Sequence, residues 1–351
     1  MRYIISCQDA YWFWYHAGAS ARLRYRAADI SNLEDVAHTA HQLESFDLSK
    51  LEGLLDPPPR IASTLSSRAS DRSGTRGRTQ PAIRAQPTRR HVLVPGTTDG
   101  RPLQGYDRYR WHGPVPPGSL AVILPGVAVC SPEFCLLQLA LRLQPIEFAR
   151  WATALCASYR IGERGIEECE PVTSVRRIED FLTRNPGHRG VAACRKLLPY
   201  LRDGARSPKE VELHLLLALP PRLGGYGLGG DVLNWRLDLG SGVVDLLDRP
   251  DRRLVEVDLA WPAKKVGLEY MGRDHDGKVP VDRRRLNMLA ALGMRILQVD
   301  AAQVSDPALL DRTAWQLARL LKRKVPEPTD AWLSARGDLR QVLLGAGHLR
   351  M

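Results

Sequence analysis

The chain has 351 residues, 44% of them hydrophobic and 25% charged, with a formal net charge of +11. At about 100–200 residues per domain this predicts two or three domains, and the balance excludes a wholly disordered or collagen-like chain. No run approaches the ~20 apolar residues that cross a bilayer, and the stretch from Met1 to Cys7 is too short for a signal peptide, so a cytoplasmic protein without a membrane partner is expected. Six cysteines (Cys7, Cys130, Cys135, Cys156, Cys169, Cys194) form no C-x-x-C pair. They read as reduced thiols, several in the core, rather than zinc ligands or a disulfide frame. The charge is unevenly placed: −3 in residues 1–59, +7 in 60–91, +3 in 92–205, +4 in 206–325 and zero in 326–351. There are 42 Arg and 8 Lys, a bias that GC-rich coding can produce, so charge alone is weak support for a nucleic-acid partner.

Residues 1–58 are expected to form an N-terminal helical segment. One helix covers about Gln8–Arg26, and a second runs from about Asn32 to Glu44, where Leu33, Val36 and Ala37 recur at helical spacing. His38 and His41 lie three apart with no third ligand in view, which fits surface histidines better than a metal pair. Residues 59–91 are rich in Arg and Ser and poor in large apolar residues, which predicts a disordered linker. It is either a passive tether or an arm that touches phosphates.

Residues 92–205 read as a mixed, mainly helical domain. His91–Val94, Leu120–Leu124 and Gly126–Val129 are strand candidates. Ser131 at an N-cap, Pro132 in the first turn and Glu133 at the positive helix end open a helix. Two amphipathic helices are expected through Phe134–Leu141 and Ile146–Ala157, a third from about Thr173 and a fourth over Gly190–Arg202. Over about 70 residues, on Val129-Cys130-Ser131-Pro132-Glu133 and the helix through Ala140, this region resembles bacterial AbiEi-type antitoxin-like proteins. The resemblance implies a toxin as one candidate partner.

Gly225-Tyr-Gly227-Leu-Gly229-Gly230 matches G-x-G-x-x-G in letters only. A dinucleotide site needs a strand before it and a helix after it. Here a helix ending near Pro220-Pro221 precedes it and strand-like Val232–Asp238 follows, so a structural loop is expected.

The chemistry-bearing residues lie in 206–325, followed by a C-terminal tail over 326–351. Ser207-Pro208-Lys209-Glu210 opens a helix, Leu254–Ala260 alternates as a strand, Trp261–Lys265 turns, and Val266–Met271 is a second strand. A four-residue loop over 262–265 sets Asp258 opposite Glu269 on one face. Two such close carboxylates call for a cation between them, a hard divalent ion being suited, or for pairing with Arg252 or Lys264 on a solvated hairpin. Gly272–His275 follows, then a helix from Asp282 closed by Gly293, a strand over Met294–Val299, and a last helix capped by Ser305-Asp306-Pro307.

This succession resembles the Vsr-like endonuclease domain of the PD-(D/E)xK restriction-endonuclease-like superfamily over about 120 residues. It does so on Ser207-Pro208-Lys209-Glu210, Asp258-Leu259-Ala260-Trp261-Pro262, Glu269-Tyr270, Gly272, His275, Asp282, Arg285, Leu289 and Gly293. The resemblance implies an α/β fold, with a restriction-endonuclease-like mixed sheet flanked by helices at the C-terminal end and a smaller, mainly helical α+β domain before it. It implies that Asp258 and Glu269 hold Mg²⁺ (or Mn²⁺), with Glu210 reaching the ion directly or through water. His275 then orients or deprotonates the water. Arg273, Arg283 and Arg284 are candidate DNA contacts, and Asp282 with Arg285, three apart on a helix, is read as a structural ion pair. One residue departs from the family pattern: Met271 stands where a polar group is usual, and a thioether cannot bind a hard cation. Three functions stay open: a Mg²⁺-dependent DNA endonuclease of a defence or repair type, a catalytically inactive DNA-binding or antitoxin-like regulator, and a protein–protein adaptor with a relic nuclease fold. The target sequence and oligomeric state are not legible.

Overall fold

The structure, a computed structural model, describes residues 2–28, 30, 33, 35–51, 53–56, 89–162, 164–238, 254–272 and 286–345. The chain divides into two compact units, the first within Met1–Pro199 and the second Tyr200–Gly345. The expected linker lies almost wholly outside the described residues.

The first unit is built on a six-stranded sheet in the order β2-β5-β6-β1-β3-β4. Its strands are β1 (Tyr3–Ile5), β2 (Arg26–Ala27), β3 (Arg90–Pro95), β4 (Tyr106–Trp111), β5 (Leu120–Leu124) and β6 (Val127–Cys130). β1 runs parallel to β6, with Tyr3 paired to Val127, and antiparallel to β3, with Ile5 paired to Val92. All three of its residues are buried, as a central strand covered on both faces requires. The N-terminal residues are therefore part of this sheet and not a separate helical segment. Far from a smaller helical domain, the first unit is the longer of the two and has a mixed sheet at its centre.

Helix α1 (Cys7–Ala17) follows β1 and stops at Gly18, whose φ of 71° lies in the left-handed region. The single helix expected over Gln8–Arg26 is thus broken, and α2 (Ser20–Arg24) is a separate short turn. The second expected helix is reduced to α3 (Ala40–Glu44), opened by a capping box between Thr39 and Gln42. Leu33, Val36 and Ala37 are buried as predicted but are not helical, since Val36 bridges to Arg2 in extended backbone. Ser131 accepts the Phe134 N–H and opens α4 (Pro132–Leu139), buried at every residue and so interior rather than amphipathic. Then come α5 (Pro145–Leu155), the hairpin β7 (Tyr159–Gly162) with β8 (Gly165–Glu168), α6 (Val175–Arg184) and α7 (Val191–Leu197).

The second unit starts with α8 (Pro208–Ala218), N-capped by Ser207, which accepts the Glu210 N–H. Its four-stranded sheet has the order β12-β11-β10-β9, made of β9 (Val232–Asp238), β10 (Leu254–Trp261), β11 (Val266–Met271) and β12 (Arg295–Asp300). Neighbours are antiparallel except β11 and β12, so the sheet is mixed, as expected. Residues 286–291 are helical, and Leu289 joins Val255, Val257, Ala260 and Met294 in the core. After β12 come α9 (Ala301–Ser305), α10 (Pro307–Leu321), capped by Asp306, and α11 (Asp330–Leu344). The last helix corrects the reading of a tail: Trp332, Leu339 and Leu343 are buried, and the Trp332 indole donates to Gly225 O at 3.1 Å.

The glycine loop serves α8. The N–H groups of Tyr226, Gly227 and Leu228 donate to Leu216 O, Leu219 O and Leu217 O, so the loop's donors close the carboxyl end of the helix. A Cβ on Gly225 would lie 2.1 Å from Leu219 O. Only glycine permits that approach.

Candidate functional site

The hairpin register is the predicted one: Leu259, Ala260 and Trp261 pair with Leu268, Gly267 and Val266. One step further sets Asp258 opposite Glu269, and the Asp258 carboxylate accepts the Tyr270 N–H at 2.8 Å. On the other edge of β10, Val257 pairs with Trp235 and Leu259 with Leu233, so the ladder steps over Asn234 opposite Asp258. Glu269 in turn pairs with Gln298 on β12. Register positions Asn234, Asp258, Glu269 and Gln298 thus form one polar row across all four strands.

Asn234 has φ 46°, a left-handed conformation that only glycine adopts cheaply and that asparagine tolerates best among the rest. From there its amide donates to Gly204 O at 2.9 Å and to the Glu210 carboxylate. Glu210 projects from the first turn of α8 and is 8% exposed. It also accepts the Arg206 N–H and the Ser207 hydroxyl, both at 2.9 Å. Burial pushes its carboxyl above the usual range, and the nearby charge of Asp258 pushes the same way. Hydrogen bonds from Arg206, Asn234 and Ser207 oppose that shift. Glu210 and Asp258 are therefore within electrostatic reach, with Glu269, 5% exposed, next to Asp258 in the row.

Three predicted acids thus come from α8, β10 and β11 of one unit. Among the described residues, no three His, Cys, Asp or Glu side chains are arranged to hold a metal ion. His275, Arg273, Arg283, Arg284, Asp282, Arg285 and Arg252 lie outside the described residues. Met271 follows Glu269 by two on β11 and so shares its face; the Gln298 amide donates to its sulfur at 3.4 Å. Of the six cysteines, all free, only Cys169 is not buried.

Sequence reasoning missed Asn234 and Gln298, which become visible only once strand register is known. It also missed a basic face on α10. Trp315 is 51% exposed there, the Arg319 guanidinium lies 4.8 Å from its ring centroid, Arg312 is exposed three residues before it, and Lys322, Arg323 and Lys324 are exposed just past the helix end. An aromatic surrounded by cations is a surface suited to nucleic acid. No described helix is long and apolar enough to cross a membrane. No family model, no curated protein and no solved structure matches the chain.

Proposed function

We propose that Tyr200–Gly345 is a Mg²⁺- or Mn²⁺-dependent endonuclease module that hydrolyses DNA phosphodiesters, in defence or repair. The observation that supports it most is the polar row that sets Asp258 beside the buried Glu269, within electrostatic reach of the buried Glu210. Buried acids that repel one another are costly unless a cation joins them, and carboxylate oxygens suit a hard divalent ion. Asp258 and Glu269 would hold the ion and Glu210 would reach it directly or through water, which requires these three side chains to move from their present arrangement, since it is not a ligand set. Such an ion polarises a phosphodiester and acidifies a bound water. In this reading His275 orients or deprotonates the attacking water, and Arg273, Arg283 and Arg284 contact phosphates together with the basic face of α10.

A second reading has its own support. Met271 offers no ligand to a hard cation, and Glu210 already accepts three hydrogen bonds from the protein. Both fit a non-catalytic DNA-binding or antitoxin-like regulator. Supercoiled plasmid incubated with Mg²⁺ or Mn²⁺ separates the two. Nicking by the wild type that is lost in Glu269→Gln supports the nuclease. DNA binding without cleavage, with melting curves indifferent to metal in both proteins, sinks it in favour of the regulator.

A further inference from the structure

In the first unit β3 and β4 are parallel, yet only residues 96–105 join them, with no helix between. Parallel neighbours usually need a crossover of about a dozen residues or more. This short strap, with the start of α3 and residues 112–114, borders an open cleft of about 970 Å³, within the size range of small-molecule sites. Pro95, Pro102 and Leu103 give it apolar walls.

Its polar groups favour an anion. Arg108 donates to His38 O at 3.3 Å and to Arg101 O, so two uncharged carbonyls fix its guanidinium. Among the described residues no carboxylate lies within ion-pair distance of it, and three of its five N–H donors are left for another partner. The His38 ring on the cleft wall is held by a 2.9 Å hydrogen bond that Nδ1 donates to Val36 O. The His112 ring lies against Gly96, where a Cβ would come within 2.2 Å of Nδ1. Asp99 is the one acid among the described lining residues, and it pairs with the exposed Arg101 at 3.3 Å.

We propose that this cleft binds a small organic phosphate monoester. The phosphate sits on Arg108 and His112, and the organic part lies against Pro95, Pro102 and Leu103. A forked guanidinium matches phosphate oxygens in geometry and charge, and the apolar walls give the ester an advantage over the free ion. The site is separate from the acidic row and does not depend on the nuclease reading.

Calorimetric titration of the full chain with phenyl phosphate, inorganic phosphate, benzoate and phenol tests it. Phenyl phosphate is expected to bind tightest, inorganic phosphate and benzoate more weakly, and phenol least. Arg108→Gln should weaken phenyl phosphate about tenfold or more. Because Arg108 also ties the strap down, the exposed change Asp99→Asn supplies an independent arm: removing the competing carboxylate should tighten binding about threefold. Phenol binding as well as phenyl phosphate would show an apolar cleft and overturn the proposal. So would Arg108→Gln binding unchanged at wild-type melting temperature, or Asp99→Asn having no effect.

Discussion

Each unit buries an acid in the first turn of a helix, and the two acids are treated in opposite ways. Asp9 of α1 is 5% exposed and lies among donors from two side chains: His91 Nδ1 donates to it at 2.8 Å, the His91 N–H at 3.2 Å, and the Arg90 cation stands 3.7 Å away. Those partners are shared onward, His91 with Asp107, which Arg142 grips at 2.8 and 3.1 Å, and Arg90 with Asp56. Burial leaves the Asp9 carboxyl raised, with His91 and Arg90 opposing the shift. Glu210 of α8 has uncharged donors only, no described cation within ion-pair distance, and a neighbour of its own sign. A structural acid is balanced where it is buried; an acid whose balance is left to something else is a candidate for ligand chemistry.

The comparison can be broken at its strongest point first. Asp9→Ala strands His91 and Arg90 and should cost the first unit about 2–4 kcal/mol in urea unfolding. A loss under about 0.5 kcal/mol would mean that the network is incidental. Next in size is the response of the second unit to metal. Mg²⁺ at about ten times its Kd should add about 1.4 kcal/mol, read as a higher Tm, and Glu269→Gln should abolish the gain. Met271→Asp should enlarge it by adding an oxygen donor. Third, Asp258→Asn keeps an acceptor for the Tyr270 N–H and removes the charge that repels Glu210. Without metal it should stabilise the second unit by about 0.5–1 kcal/mol, whereas a loss would show that Asp258 is held by attraction.

The smallest effect is in pH. The folded-state value of Glu210 lies above its ordinary one, so its ionisation lowers stability as pH rises through that folded value. Acidification toward the ordinary carboxylate range should therefore stabilise the second unit slightly, and Asp258→Asn should weaken that dependence. Glu256 and Asp231 do not interfere in this window. Burial raises both, but Arg236 and Arg206 outweigh it at Glu256 and His214 with Arg202 at Asp231. Both end below the usual range, so their contributions are lost only in stronger acid. Equal slopes in wild type and variant would separate Asp258 from Glu210.

Much of the second unit was legible because its signals are local. Ser207 and Asp306 cap the helices they were expected to cap, and a four-residue loop is enough to set the register from Trp261 to Leu259. Elements that depend on distant partners were not legible. β4 reads Tyr-Asp-Arg-Tyr-Arg-Trp and looks like a loop, yet Asp107 and Arg108 there are held by Arg142 and by two carbonyls. α11 carries Asp330, Arg336, Asp338 and Arg340 and looks like a solvated tail until Arg336 meets Asp311 and Arg340 meets Val304 O. Asn234 in a strand pattern gives no hint of its φ or of its link to Glu210. The polar row was half visible: its two acids follow from the hairpin, its two amides only from strands brought in from elsewhere.

The position of β1 has a consequence for the order of folding. Its two neighbours in the sheet lie at about residue 92 and residue 127, so neither edge of Tyr3-Ile4-Ile5 can be hydrogen-bonded while the chain is short. During synthesis this apolar triplet and the aromatic run of α1 emerge well before the strands that cover them. Contacts of such sequence separation make folding slow and leave apolar surface exposed to other chains in the meantime. β1 is made well before the strands that secure it.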